Sequence, residues 1–250
     1  MTIFSNPSRR AFLLAAIPVA LAFTSCGDDD NKPDPQPVVE QGKVSFVNAA
    51  SHIAPINLAF TVDNNQKGSA DYGKSSGYVA VQSGSRPMQI LAGNQIALTQ
   101  PISIEKDKTY TFVATPAATS SAVGALLVPD DLTVPTTGKA RIRVIHVGQG
   151  ITTSIRLAAP TPVTGQGVIV NDVSANSAST FTDFNPGSYS LFISDNANVP
   201  LVQIGDGSGT GTATATKTYE SGKLYTVLVS GTQGSLNQDQ KLKAFVFQNN

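Results

Sequence analysis

Glu220-Ser221-Gly222-Lys223-Leu224-Tyr225-Thr226-Val227-Leu228 restates Glu105-Lys106-Asp107-Lys108-Thr109-Tyr110-Thr111-Phe112-Val113. In both, a polar turn ending in Lys opens a run of Tyr, Thr and apolar residues, the composition of a strand entered from a tight turn. The repeat extends in both directions. Val44-Ser45-Phe46-Val47-Asn48-Ala49 aligns with Ile142-Arg143-Val144-Ile145-His146-Val147, and Ile56-Asn57-Leu58-Ala59 aligns with Ile155-Arg156-Leu157-Ala158. Gly84-Ser85, ahead of Met88-Gln89-Ile90, aligns with Gly187-Ser188, ahead of Leu191-Phe192-Ile193. The spacing between partners widens along the chain, so the second copy carries insertions, most of them in the Gly/Ser/Thr-rich stretch 205–216.

Further runs of the same kind, Leu58-Ala59-Phe60-Thr61-Val62 and Tyr78-Val79-Ala80-Val81, are bounded by Gly, Asn, Asp, Ser or Pro. No segment sustains a 3.6-residue period. Short strands at this spacing predict an all-β fold of two tandem β-sandwich domains, a first repeat over 42–131 and a second over 138–250. The connector 132–137 holds Pro135, and the closing strands are expected at 125–128 and 243–247.

Composition narrows the function without defining it. Of 250 residues, 17 are Lys or Arg and 17 are Asp or Glu, and charged residues make up 14%, well below the roughly 25% of an ordinary domain. The surface must be polar through Ser, Thr, Asn and Gln. A neutral balance leaves no electrostatic footprint for nucleic acid. One Cys excludes a disulfide framework, and one Cys with two His cannot furnish a structural zinc site, so no metal or cofactor is expected. With no Trp, a Trp-based sugar platform is excluded, and Tyr72 and Tyr78 are the candidates for a Tyr-based one.

Residues 1–25 read as a lipoprotein signal peptide. Arg9 and Arg10 form a basic region, and the apolar run 11–23 spans only about 20 Å as a helix, against a hydrocarbon core of about 30 Å. Ser8-Arg9-Arg10-Ala11-Phe12-Leu13 resembles the twin-arginine export motif; a general secretory signal that happens to hold two arginines is the other reading. Phe23-Thr24-Ser25-Cys26 resembles a bacterial lipobox, with Phe23 where Leu is usual. That resemblance implies cleavage before Cys26, a diacylglyceryl thioether on its sulfur and acylation of the new amine. Such an anchor is durable, since each buried CH₂ contributes about 0.8 kcal/mol.

Asp28, Asp29 and Asp30 resemble the acidic signal that sends some Gram-negative lipoproteins to the outer face of the outer membrane, the periplasmic face being the alternative. Processing removes both arginines and no acid, so the mature chain is slightly acidic. Residues 26–41, with Pro33, Pro35 and Pro37, read as a flexible lipidated tether that could lift the body by up to about 45 Å.

The order of features is a first strand ending in Asn48 or His146, a Gly-Ser turn, and a Gly-Lys-x-Tyr-Thr strand. It resembles a domain-of-unknown-function family found in tandem in exported bacterial lipoproteins. The resemblance implies an immunoglobulin- or transthyretin-like sandwich for each copy and an envelope location, and it supplies no catalytic residues. His146 keeps a His that the family often has after the first strand, and Asn48 departs from it.

Two motif matches lack their context. Gly68-Ser69-Ala70-Asp71-Tyr72-Gly73-Lys74-Ser75 fits the phosphate-loop pattern G-x4-G-K-[ST], and Gly73-Lys74-Ser75-Ser76-Gly77 fits the nucleophile elbow G-x-S-x-G. Both need a following helix, whereas 76–81 reads as strand, so one Gly/Ser-rich hairpin loop accounts for both. His146 is expected to be a satisfied His at a sheet end, and Tyr110 and Tyr225 to be packing residues or corner hydrogen-bond donors. The carboxylates form no pair. Asp130 and Asp131 fall in the connector, and Asp172, Asp195 and Asp206 fall in loops that could hold a calcium ion.

The expected function is that of a lipid-anchored, surface-exposed, non-catalytic binding or adhesion module. Its expected partners are the membrane, through Cys26, and an extracellular protein or glycan. A glycan-binding accessory lipoprotein of a nutrient-uptake system is the alternative, with a hydrolase using loop acids behind it.

Overall fold

The computed structural model describes residues 39–117, 122–159, 167–204 and 216–250. The first half runs β1 (Gln41–Asn48), a 3-10 turn at Ser51–Ile53, β2 (Leu58–Val62), β3 (Asn65–Ala70), β4 (Ser75–Gln82), β5 (Gly84–Ala92), β6 (Gln95–Ile104), β7 (Thr109–Pro116) and β8 (Val123–Pro129). The second half runs β9 (Ala140–His146), β10 (Ile155–Ala158), β11 (Val168–Val173), β12 (Ser177–Ala178), β13 (Thr182–Phe184), β14 (Gly187–Tyr189), β15 (Phe192–Asp195), β16 (Pro200–Gln203), β17 (Lys217–Tyr219), β18 (Leu224–Ser230) and β19 (Lys243–Gln248). The all-β sandwich expected from the strand pattern is what forms.

Strand order repeats between the halves. The first has sheets β4-β1-β7-β8 and β3-β2-β5-β6; the second has β12-β9-β18-β19, with β13 also on β9, and β11-β10-β15-β16. β1 runs parallel to β7 and β9 parallel to β18, while their other neighbours are antiparallel. The turn hydrogen bonds repeat too: Lys43 N–H donates to Lys108 O and Arg141 N–H to Lys223 O, at 2.8 and 2.9 Å. The widening spacing also has a structural place. β5 and β6 form one unbroken hairpin, whereas the second half divides it into β14 with β17 and β15 with β16, and 205–216 lies between β16 and β17.

Each half has its own core, and a third lies between them. Phe46 and Phe112 join Phe60 in the first core, and Val144 and Val227 lie in the second. The next residue along each of those strands, Val47, Val113, Ile145 and Leu228, belongs to the third core with Val128 and Phe245. The sheets carrying β1-β7 and β9-β18 therefore pack face to face. A strand covered on both faces loses its in–out alternation, and β18 is buried at all seven positions. Each fully buried side chain of this kind contributes about 1.5–3 kcal/mol.

Both halves point the same way. β1 rises from the end where Glu40 enters, and there Ser83 N–H donates to Glu40 O and Asp107 N–H to Gln41 O, each at 2.9 Å. The turns 105–108 and 220–223 share this entry end. The loops 49–57, 93–94, 196–199 and 231–242 follow β1, β5, β15 and β18, which all run away from the entry end, and so share the far end.

Candidate functional site

Polar side chains on strands covered on both faces must find partners inside the protein. Thr111 of β7 donates to Asp130 Oδ2 at 2.7 Å, and its repeat equivalent Thr226 of β18 donates to Asn249 Oδ1 at 2.7 Å. Asp130 and Asn249 each follow the last strand of their half, so the pair repeats as the sequence does. Arg143 of β9, aligned with Ser45, joins them. Its Nη1 donates to Asp130 Oδ1 at 2.6 Å, Nη2 to Thr111 Oγ1 at 2.8 Å and Nε to Thr226 Oγ1 at 3.0 Å. The guanidinium also lies 4.6 Å from the Phe181 ring centroid.

Tyr78 closes the network, donating to Asp130 Oδ2 at 2.6 Å and accepting from Asn249 Nδ2 at 3.0 Å. Burial first, and the Asp130 charge second, raise its phenol well above the usual tyrosine range. The side chains of Arg143 and Asp130 are 1% and 0% exposed. Asp130 was expected in the connector and is enclosed between the sheets, because its N–H extends the β7–β8 ladder to Thr109 O at 2.8 Å.

Toward the far end the same interface is closed by Tyr72, whose hydroxyl donates to Ser230 Oγ at 3.3 Å while Ser230 donates to Ala49 O at 2.6 Å. Burial lifts the Tyr72 phenol to about 12. Its ring meets Phe245 edge-on at 5.2 Å. Gly73, at φ +77, lies so close that a Cβ there would come within 2.4 Å of the Phe245 ring. The glycine common to both motif matches thus serves a turn and a close approach, between strands β3 and β4 with no helix after it. Tyr72 and Tyr78 are held in the interface and offer no open platform.

Asn48 pins the loop 49–57, donating from Nδ2 to Ile56 O and Ala70 O and accepting from Ala50 N–H, all within 3.1 Å. His146, its counterpart, is fully buried and accepts at Nδ1 from Gly148 N–H at 3.2 Å, while Nε2 has no partner. Its hydrogen bonding is therefore half of what was expected. Burial lowers its pKa to about 4, so it is neutral near pH 7. Tyr110 and Tyr225 pack in the cores and stand at corners, but as acceptors, from Glu105 N–H at 3.3 Å and Glu220 N–H at 2.9 Å.

Arg9, Arg10, Cys26, Asp28, Asp29, Asp30 and Asp206 lie outside the described residues. Asp131 accepts from Thr133 Oγ1 and N–H and from Arg141 Nη2, which together hold its carboxyl near 2. Asp172 pairs with Arg156 at 3.0 Å, and Asp195 caps its own turn through Ala197 and Val199 N–H. Among the described residues no three of His, Cys, Asp and Glu gather to hold a metal ion. No helix among them is long and apolar enough to cross a membrane.

Large apolar side chains are exposed on the far-end loops and strand ends: Ile56, Ile96, Val199 and Leu236, the last 95% accessible. Around them stand Gly, Ser, Asn and Gln, together with the charged Asp71, Lys74, Asp195, Asp239 and Lys241. Glu105, Lys106, Asp107, Lys108, Glu220 and Lys223 lie at the entry end, with the exposed Val39 and Val134. A sequence reading aimed at catalytic groups misses this far-end set, whose only signal is an isolated aliphatic within a polar loop.

These features define an all-β sandwich protein. Residues 42–152 match the family described as Domain of unknown function (DUF4397), which bears out the family resemblance over that stretch. No curated protein matches the chain. Among solved structures, the fimbrial tip protein Mfa3 of Porphyromonas gingivalis with C-terminal truncation aligns at 10% identity and TM-score 0.28, over 84% of this chain and 99% of that one. A family CBM26 module of Amy13K from Eubacterium rectale, in complex with maltoheptaose, aligns at 9% and 0.25, over 84% and 97%. A putative cell adhesion protein from Bacteroides eggerthii aligns at 9% and 0.20, over 84% and 96%.

Proposed function

We propose that this chain is a lipid-anchored, surface-exposed envelope protein, without a catalytic role, that binds or adheres through its far end. The observation that carries the reading is polarity along the strands. The tether joins at Glu40, and four exposed aliphatic side chains, Ile56, Ile96, Val199 and Leu236, stand at the opposite end. Scattered single apolar residues are ordinary on a surface. Four large ones grouped at one end mark a contact surface. The interface between the halves supports the same reading, because an enclosed polar network fixes how the loops of the two halves stand together.

The anchor is tested by Cys26→Ala. The variant should leave the membrane fraction for the soluble periplasmic fraction or the medium, and the wild type on intact cells should be degraded by added protease. Retention of the variant in the membrane at wild-type levels contradicts the anchor, and protection of the wild type contradicts surface display.

A further inference from the structure

The outer sheet of the second half holds a groove beside Phe192. Cross-strand register sets Val168, Ala158, Phe192 and Gln203 in one row and Arg156, Ser194 and Pro200 in the next. Leu191 and Ile193 turn into the core, so Phe192 and Ser194 face outward. Ala158, Val168, Phe192, Ser194 and Asn198 line a hollow of about 420 Å³, and a second hollow of about 320 Å³ lies on the other flank of Phe192. Phe192 is half-buried and forms the ridge between them.

Three features of this groove point to a ligand. Its lining holds no titratable side chain. Ser194 is fully buried, yet its hydroxyl has no hydrogen-bond partner, and such a group costs about 1–3 kcal/mol while it stays unpaired. Finally, the repeat supplies an internal control: Phe192 and Ser194 align with Gln89 and Leu91 of the first half. The sandwich therefore needs neither the ring nor the hydroxyl at these places, and the second copy holds both.

We infer that this groove binds a neutral sugar ring of an oligosaccharide. The ring's C–H face lies on Phe192 and the apolar wall, and its hydroxyls meet Ser194 and Asn198. Arg156, the cation beside the groove, is already paired with Asp172 at 3.0 Å and donates to Asn198 Oδ1 at 3.3 Å, so a charged ligand finds no unpaired counter-charge there. A purely aliphatic one leaves the Ser194 hydroxyl unpaired. The site reaches the far-end loop 196–199 through Asn198 but does not depend on the adhesion reading.

The test uses the full mature chain made water-soluble by Cys26→Ala, titrated with maltose, cellobiose and lactose and followed by two-dimensional amide NMR. At least one disaccharide should shift amides of β10, β11 and β15 with millimolar affinity. Phe192→Gln, which installs the first half's own residue, should weaken binding at least tenfold with the rest of the spectrum unchanged. Ser194→Ala should weaken it severalfold without lowering the melting temperature. Absence of shifts up to tens of millimolar for all three sugars overturns the proposal, as does binding that survives Phe192→Gln. Hexan-1-ol binding as tightly as the sugars, with Ser194→Ala indifferent, makes the groove a general apolar hollow and overturns it too.

Discussion

His146 ties the stability of the fold to pH. Burial lowers its pKa to about 4 from the ordinary 6.5, so below pH 6.5 the unfolded chain binds a proton that the folded chain refuses. The stabilisation is complete above pH 6.5 and is lost as pH falls toward 4, on the order of 3 kcal/mol in all. His52, also lowered by burial, acts in the same direction. His146→Asn, which installs the residue found at Asn48, should flatten the acid limb of a melting-temperature profile between pH 6.5 and 4. An unchanged limb would place the acid sensitivity elsewhere. At this scale the sequence was partly legible. The match of Asn48 with His146 marked equivalent strand ends, but the orphan Nε2 depends on what the fold lays over the ring. Phe192 and Ser194 were unreadable as site residues, because an outward Phe in a short strand looks like core until its neighbours are placed.

Among the elements, the buried pair of Arg143 on β9 and Asp130 at the end of β8 decides how the two inner sheets meet. Removing one partner of an enclosed ion pair leaves the other uncompensated, so Asp130→Ala should cost about 3–5 kcal/mol in urea unfolding. The double variant Asp130→Leu/Arg143→Met removes both charges and should be more stable than the single one. A single variant within 1 kcal/mol of wild type would show the pair to be more solvated than its geometry indicates. The strands themselves were legible, since Gly, Asn and Pro punctuate them and the 105–113 run is written twice. Their double-sided burial was not. Val44-Ser45-Phe46-Val47 fits a half-exposed strand equally well, and nothing in the sequence places Ser45, Thr111 and Thr226 inside. Only the fold brings Arg143 to Thr226 and Tyr78 to Asn249, partners far apart in sequence.

At the scale of the whole molecule, duplication explains both the architecture and its asymmetry. Two halves of one strand order, facing each other with one polarity, bring two sets of loops to a single end. The repeat made that architecture readable. Which residues of the loops stand free was not readable, because exposure of Ile96 or Leu236 depends on the neighbours that fail to cover them. The central claim is that this end makes the contact. Its most direct test compares attachment of cells displaying the wild type with cells displaying Ile56→Ser/Ile96→Ser/Val199→Ser/Leu236→Ser, at equal surface levels measured by antibody. Val134→Ser, an exposed apolar residue at the entry end, serves as the control. Attachment should fall severalfold in the far-end variant and stay at wild-type level in the control; equal attachment of all three would contradict the account.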